Sequence, residues 1–203
     1  SHLTRRARGP EALWWETGNA AALEELRAGR VHAALLHRGA GAAAPPPAGT
    51  TVFLLARWPM GWLVPRGNPR GFRDVRDLPR LRLVNRERGS GARALLDRLL
   101  AEAALPPTRV PGYGDEVVGH WAAAARVAAG LADVALGAAG AAEAWGLDFL
   151  EVEEQRSELW LPAEALGEPW AEALLETLSG SAFRRELAFF GPYDTREVGR
   201  RAG

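Results

Sequence analysis

The stretch that decides the fold is LVNRERGSGARALLDRLLAEAAL, residues 83–105. An apolar, β-prone run stops at Asn85, glycines at 89 and 91 supply a turn, and leucines at 95, 96, 99 and 100 return at helical spacing. Strand, tight turn and helix form the unit from which α/β layers are built. The first amides of such a helix have no partner within it, and the helix dipole places partial positive charge there. Asn85, Arg86, Gly89, Ser90, Gly91 and Arg93 crowd that position. Free amides, the Ser90 hydroxyl and the two guanidinium groups would together favour an anion, with glycine letting the backbone approach it closely. A plainer reading has even weight at this point: Ser90 is an N-cap and the arginines are solvated. The spacing and lysine of a Walker loop are absent.

Working outward, the same unit recurs. Ala12 to Glu16 reads as a short buried strand, and Thr17-Gly18-Asn19 turns it into a helix carrying Leu23 and Leu26 and ended by Gly29. Thr17, Gly18 and Asn19 form a second candidate anion turn, with ordinary capping as its rival. Strands are expected at 32–36, 51–56, 60–65, 81–85, 132–136, 148–152 and 158–161, and helices at 92–104, 115–129, up to Trp145, 168–178 and 181–189. The prolines at 45–47 mark a loop, and Asp77-Leu78-Pro79 closes a short helical piece. This alternation predicts α/β layering with mainly parallel pairing. Residues 28–36 and 129–137 echo each other as helix, glycine, strand, which suits two similar lobes.

Composition narrows the function. The chain has 203 residues, enough for one large domain or two small lobes. Arg plus Lys and Asp plus Glu are equal at 25 each, so no basic field exists to hold nucleic acid. Cysteine is absent, which removes disulfides, thiolate metal sites and a cysteine nucleophile. No apolar run approaches the roughly 20 residues of a membrane span. The chain lacks a starting Met and a signal-peptide core, so it is expected to begin at a cut or boundary. No His-x-x-x-His spacing occurs. No metal, no cofactor and no catalytic set is expected. Trp14, Trp15, Trp58 and Trp62 are expected in core and hinge packing, with a cleft or docking role for a few as the alternative. Asp133 is expected either to satisfy backbone amides or to line a cleft, and His32 to point outward from its strand.

The series G-N-P-R-G (67–71), D-L-P (77–79), V-N-R-E-R-G-S-G-A-R (84–93), G-Y-G-D-E-V-V-G-H (112–120), A-A-A-R-V-A-A-G-L-A-D-V-A-L-G (123–137) and G-L-D-F (146–149) resembles the periplasmic-binding-protein-like domain that bacteria join to helix-turn-helix or molybdenum-cofactor-related modules. The likeness covers about residues 12–195. It implies a type II periplasmic-binding-protein fold, two α/β lobes joined by two crossover strands, with a ligand cleft between them. The lobes are expected at 1–56 plus 151–203 and at 57–150. The implied ligand is a small oxyanion such as molybdate or tungstate, bound or sensed by lobe closure. Its implied contacts are Thr17, Gly18, Asn19, His37, Asn85, Arg86, Gly89, Ser90, Gly91, Arg93, Tyr113 and His120. Ala92 departs from the family pattern, which has Thr there, and so lacks one hydroxyl donor. Implied partners are a helix-turn-helix domain, which would make the protein cytoplasmic, or a transporter, which would make it exported. The alternatives are an enzyme of the same fold acting on a small carboxylic acid, and a degenerate association domain.

Overall fold

The computed structural model describes residues 11–15, 17–39, 45–189 and 191–202. Within them the chain divides into two compact units, one of residues 1–57 and 155–203 and the other of residues 58–154. Each is described by itself.

The first unit opens with helix α1 (Asn19–Arg27) and strand β1 (Ala34–Gly39). It takes in the start of a 15-residue strand, β2 (Thr50–Val64), and the end of another, β6 (Asp148–Pro162). Helices α5 (Pro169–Ser179) and α6 (Ser181–Phe189) follow. β1 pairs antiparallel with β6, Ala34 facing Trp160 and His37 facing Ser157. One core cluster joins Leu26, Ala34, Leu36, Val52 and Trp160, and a second joins Leu55, Leu159, Leu161 and Val198 under Trp170, Leu174 and Phe183. Burying a side chain as large as Trp160 contributes about 2–3 kcal/mol.

The second unit contains the end of β2, a 3-10 helix (Val75–Arg80), β3 (Leu83–Arg86), α2 (Gly91–Glu102), β4 (Glu116–Val117), α3 (His120–Ala128), β5 (Val134–Ala138), α4 (Ala139–Ala144) and the start of β6. β3 lies between β4 and β5, parallel to both, while β5 pairs antiparallel with β2. Its core is mostly alanine: Ala123, Ala124, Ala135, Ala141 and Ala142 surround Leu63, Val84 and Val127. Small side chains let α3 and α4 sit close to the sheet. Gly112 has φ +83°, and a Cβ there would stand 1.9 Å from the Leu83 carbonyl oxygen, so only glycine fits beside β3.

The α/β fold and its two units linked by two strands answer to the expected architecture. Several local expectations are corrected. Pairing is mixed rather than mainly parallel. The runs 51–56 and 60–65 are one strand through Pro59, and 148–152 and 158–161 are likewise one. Residues 11–15 form no strand, and Leu13, Trp14 and Trp15 lie exposed; Glu16 falls outside the described residues. Trp58, Trp62 and Trp160 are the buried tryptophans. β1 begins after His32, whose ring packs tilted against Trp170, centroids 5.3 Å apart, instead of lying on a strand. The helix expected from 115 starts at His120, because 116–117 join the ladder beside β3 and Gly119 turns with φ +84°. Asp133 satisfies backbone: it accepts from the Arg82 amide at 2.9 Å while pairing with the Arg82 guanidinium.

Candidate functional site

In the second unit, β3 delivers Asn85 and Arg86 to the turn and α2 starts just beyond it. The Ser90 amide bonds the Glu87 carbonyl at 3.2 Å, and Gly89 takes φ +86°, closing the turn. Ser90 is the N-cap of α2, its Oγ accepting from the Arg93 amide at 3.2 Å. The amides of Gly91 and Ala92 have no acceptor among the described residues. The Asn85 carboxamide is turned inward, donating to the Tyr113 carbonyl at 2.9 Å and accepting from the Arg86 amide.

Arg86 is the buried charge of the junction, its side chain 8% exposed. Nε and Nη2 donate to Glu87 at 2.7 and 2.8 Å, and Nη1 donates to His120 Nδ1 at 2.8 Å. A guanidinium only donates, so Nδ1 of His120 accepts and the ring proton belongs on Nε2. Trp58 packs edge-on against that imidazole, centroids 5.5 Å apart. A guanidinium carries five N–H groups. Three of those on Arg86 are engaged. The remaining two, one on each terminal nitrogen, have no acceptor among the described residues.

Arg93 is differently placed. Its guanidinium lies 4.2 Å from the Tyr113 ring centroid, donates to Glu116 at 2.9 Å and reaches Asp97 at 3.3 Å. Tyr113 in turn donates from its hydroxyl to Asp97 at 2.6 Å. Burial pulls the Arg93 charge down, and Tyr113 and Glu116 outweigh it, holding the guanidinium above its ordinary value. Arg93 and Tyr113 thus brace α2 against β4 and the turn before it.

In the first unit, Gly18 caps α1 without any side-chain bond, and Thr17 is exposed. Asn19 grips β1: its Nδ2 donates to the His37 carbonyl at 2.5 Å, and its Oδ1 accepts from the His37 amide at 3.1 Å. His37 Nδ1 lies 3.0 Å from Ser157 Oγ on β6. Beside them Glu158, 2% exposed, accepts from the Trp160 indole at 3.0 Å and from Arg38 at 3.5 Å.

The expected residues therefore fall into two groups: Asn85, Arg86, Gly89, Ser90, Gly91, Arg93, Tyr113 and His120 in one unit, and Thr17, Gly18, Asn19 and His37 in the other. Sequence reasoning assigned no site role to Glu87, Asp97, Glu116 or Ser157, and expected Trp58 in core and hinge packing with a cleft role as the alternative. Glu87 stood inside the quoted motif beside Arg86, whereas Ser157 meets His37 only through strand register. Among the described residues no group of three or more His, Asp or Glu could hold a metal, and no helix is long and apolar enough to cross a membrane.

A protein-family model for the periplasmic-binding-protein (PBP) superfamily domain matches residues 1–179. The chain belongs to the PBP superfamily. A relative, the uncharacterised protein YvgK of Bacillus subtilis (strain 168), is 35% identical over 142 residues, 69% of this chain and 46% of that protein. The chain thus spans less than half the length of that relative. A shorter uncharacterised protein of Clostridium pasteurianum, from the 5' region of a ferredoxin 2Fe-2S gene, is 32% identical over 52% of this chain and 95% of its own length. Among solved structures, an ABC-type phosphate transport receptor from Vibrio cholerae superposes with a TM-score of 0.61 at 13% identity, covering 87% of this chain and 85% of the other. The effector-binding domain of QuiR in complex with shikimate gives 0.60 at 14%, covering 80% and 77%. The CcmR regulatory domain of Synechocystis PCC6803 in complex with 2-PG gives 0.56 at 14%, covering 80% and 78%. At these identities the likeness establishes the type II PBP-like fold, a ligand-binding fold.

Proposed function

We propose that this PBP superfamily chain is a solute-binding or ligand-sensing module that takes a small anion at the β3–α2 junction and performs no chemistry on it. The observation that carries this reading is Arg86. A guanidinium more than nine-tenths buried keeps two donors without an acceptor among the described residues, next in the chain to a helix whose first amides are likewise uncovered. Buried donors left unmade cost about 1–3 kcal/mol each, and a ligand oxygen supplies the missing acceptors. The phosphate receptor, the shikimate complex and the 2-PG complex among the structural neighbours support a small acid as the class of ligand. The test is thermal melting with molybdate, tungstate, sulfate, phosphate and simple carboxylates. A selective rise that disappears in Arg86→Gln and shrinks in Ser90→Ala is expected. A chain indifferent to every one of these anions refutes the reading.

The Thr17–Asn19 turn of the first unit is a separate candidate contact, tested by Thr17→Ala under the same ligand. Signalling through a helix-turn-helix partner in the cytoplasm is the output we favour over a transporter. It predicts ligand-dependent DNA binding by the full-length protein and its recovery in the cytosolic fraction.

A further inference from the structure

The junction already holds an anion of its own. Glu87 lies side-on against Arg86, with both carboxylate oxygens engaged at 2.7 and 2.8 Å. The Gly119 amide, at the N-cap of the nine-residue helix α3, lends a smaller favourable influence to the charged form of the same carboxylate. An arginine fork and a helix N-terminal amide are the partners an external carboxylate would choose. Burial pushes the Glu87 carboxyl up, and the Arg86 guanidinium outweighs it, leaving the group below its ordinary value and charged at neutral pH.

Charge counting then limits what else fits. Arg86 is matched by Glu87, Arg93 by Glu116 and Asp97, and Arg88 lies 3.6 Å from the same Glu116. Three arginines face three carboxylates, so the junction carries no net formal charge. A dianion arriving there meets no uncompensated cation and is repelled by Glu87. The uncommitted groups are the two Arg86 donors and the Gly91 and Ala92 amides. The two Arg86 donors, one on each terminal nitrogen, can hydrogen-bond one carboxylate, and neither they nor the amides supply a free countercharge. Glu87 is also the movable half of the pair, its side chain 33% exposed against 8% for Arg86.

Resting on the anion reading above, we propose that Glu87 sets the charge of the ligand: the junction takes a monocarboxylate and excludes doubly charged oxyanions such as sulfate and molybdate. The intramolecular carboxylate occupies one side of the Arg86 fork, and the ligand carboxylate takes the donors left on the terminal nitrogens.

The experiment compares the unaltered chain with Glu87→Gln by calorimetry and melting. Acetate, lactate and benzoate serve as monoanions, with sulfate and molybdate as dianions, all at fixed ionic strength. The unaltered chain is expected to respond to at least one monocarboxylate and to neither dianion. Glu87→Gln is expected to gain about tenfold or more in dianion affinity, the effect of removing one like charge at close range. Glu87→Ala carries the same expectation should the amide variant fold poorly. Sulfate or molybdate binding to the unaltered chain as tightly as to Glu87→Gln overturns the charge rule and leaves the anion reading standing. Silence of all three proteins toward all five anions overturns both.

Discussion

Two strand-to-helix junctions, β3–α2 in the second unit and the turn into α1 beside β1 in the first, share one sequence grammar and have different physical content. At β3–α2 the serine caps its helix, a buried arginine sits at the strand end, and three carboxylates surround the guanidinium groups. At α1 the cap is a bare glycine, and the polar side chain that follows is committed to backbone. Asn19 bonds both the N–H and the C=O of His37, standing in for the strand that an edge residue would otherwise pair with. One junction concentrates charge, the other closes an edge. A glycine-polar turn before a helix therefore does not by itself fix what the turn does; what surrounds the turn does.

The sharpest way to break this contrast is Arg93→Ala. It strips Glu116 and Asp97 of their shared cation and Tyr113 of its stacking partner. Loss of a buried cation destabilises by 3–5 kcal/mol when both partners are buried; the partial exposure of these carboxylates lowers the expectation to about 2–3 kcal/mol. Calorimetry would show a melting point about 4–12 °C lower. Arg93→Lys, which keeps charge but loses the fork, should recover less than half. Next in size is Asn19→Ala, expected to cost about 1–2 kcal/mol for two lost bonds to His37. Amide hydrogen exchange at His37 should accelerate while anion binding at β3–α2 stays unchanged. An altered ligand response with unchanged exchange would make Asn19 a ligand contact after all.

Much of the fold was legible in the sequence because local chemistry announced it: the Gly89-Ser90-Gly91 turn, the leucine spacing of α2, and the glycines at 29 and 130, both at positive φ. The long strands were not, since Pro59 and the charged run at 151–154 look like breaks until the partner strands are known. Helix α3 was extended too far for a similar reason. Whether 115–117 coil or pair depends on β3, some thirty residues earlier. In the site, residue identities were legible and their commitments were not. Nothing at Arg93 in the sequence points to Glu116, 23 positions on, and nothing at His37 points to Ser157.

The Arg86–Glu87 pair sharpens the comparison through pH. A carboxyl held below its unfolded value stabilises the folded chain above that value, and the contribution disappears as pH falls through the folded value. Stability of the unaltered chain should therefore fall as the pH is taken below the ordinary carboxylate value of 4.5, and Glu87→Gln should flatten that part of the curve. An identical acid limb in both proteins would place the titrating carboxylate elsewhere. The smallest effects belong to the two caps. Ser90→Ala should cost about 1 kcal/mol through the lost bond to the Arg93 amide. Gly18 lies at φ −74° and ψ 158°, which any residue adopts, so Gly18→Ser should add a few tenths of a kcal/mol by supplying the cap that α1 lacks. Opposite signs at matched positions would establish that only the β3–α2 turn already uses its cap; a loss of stability in Gly18→Ser would instead mean that the bare glycine is required where it stands.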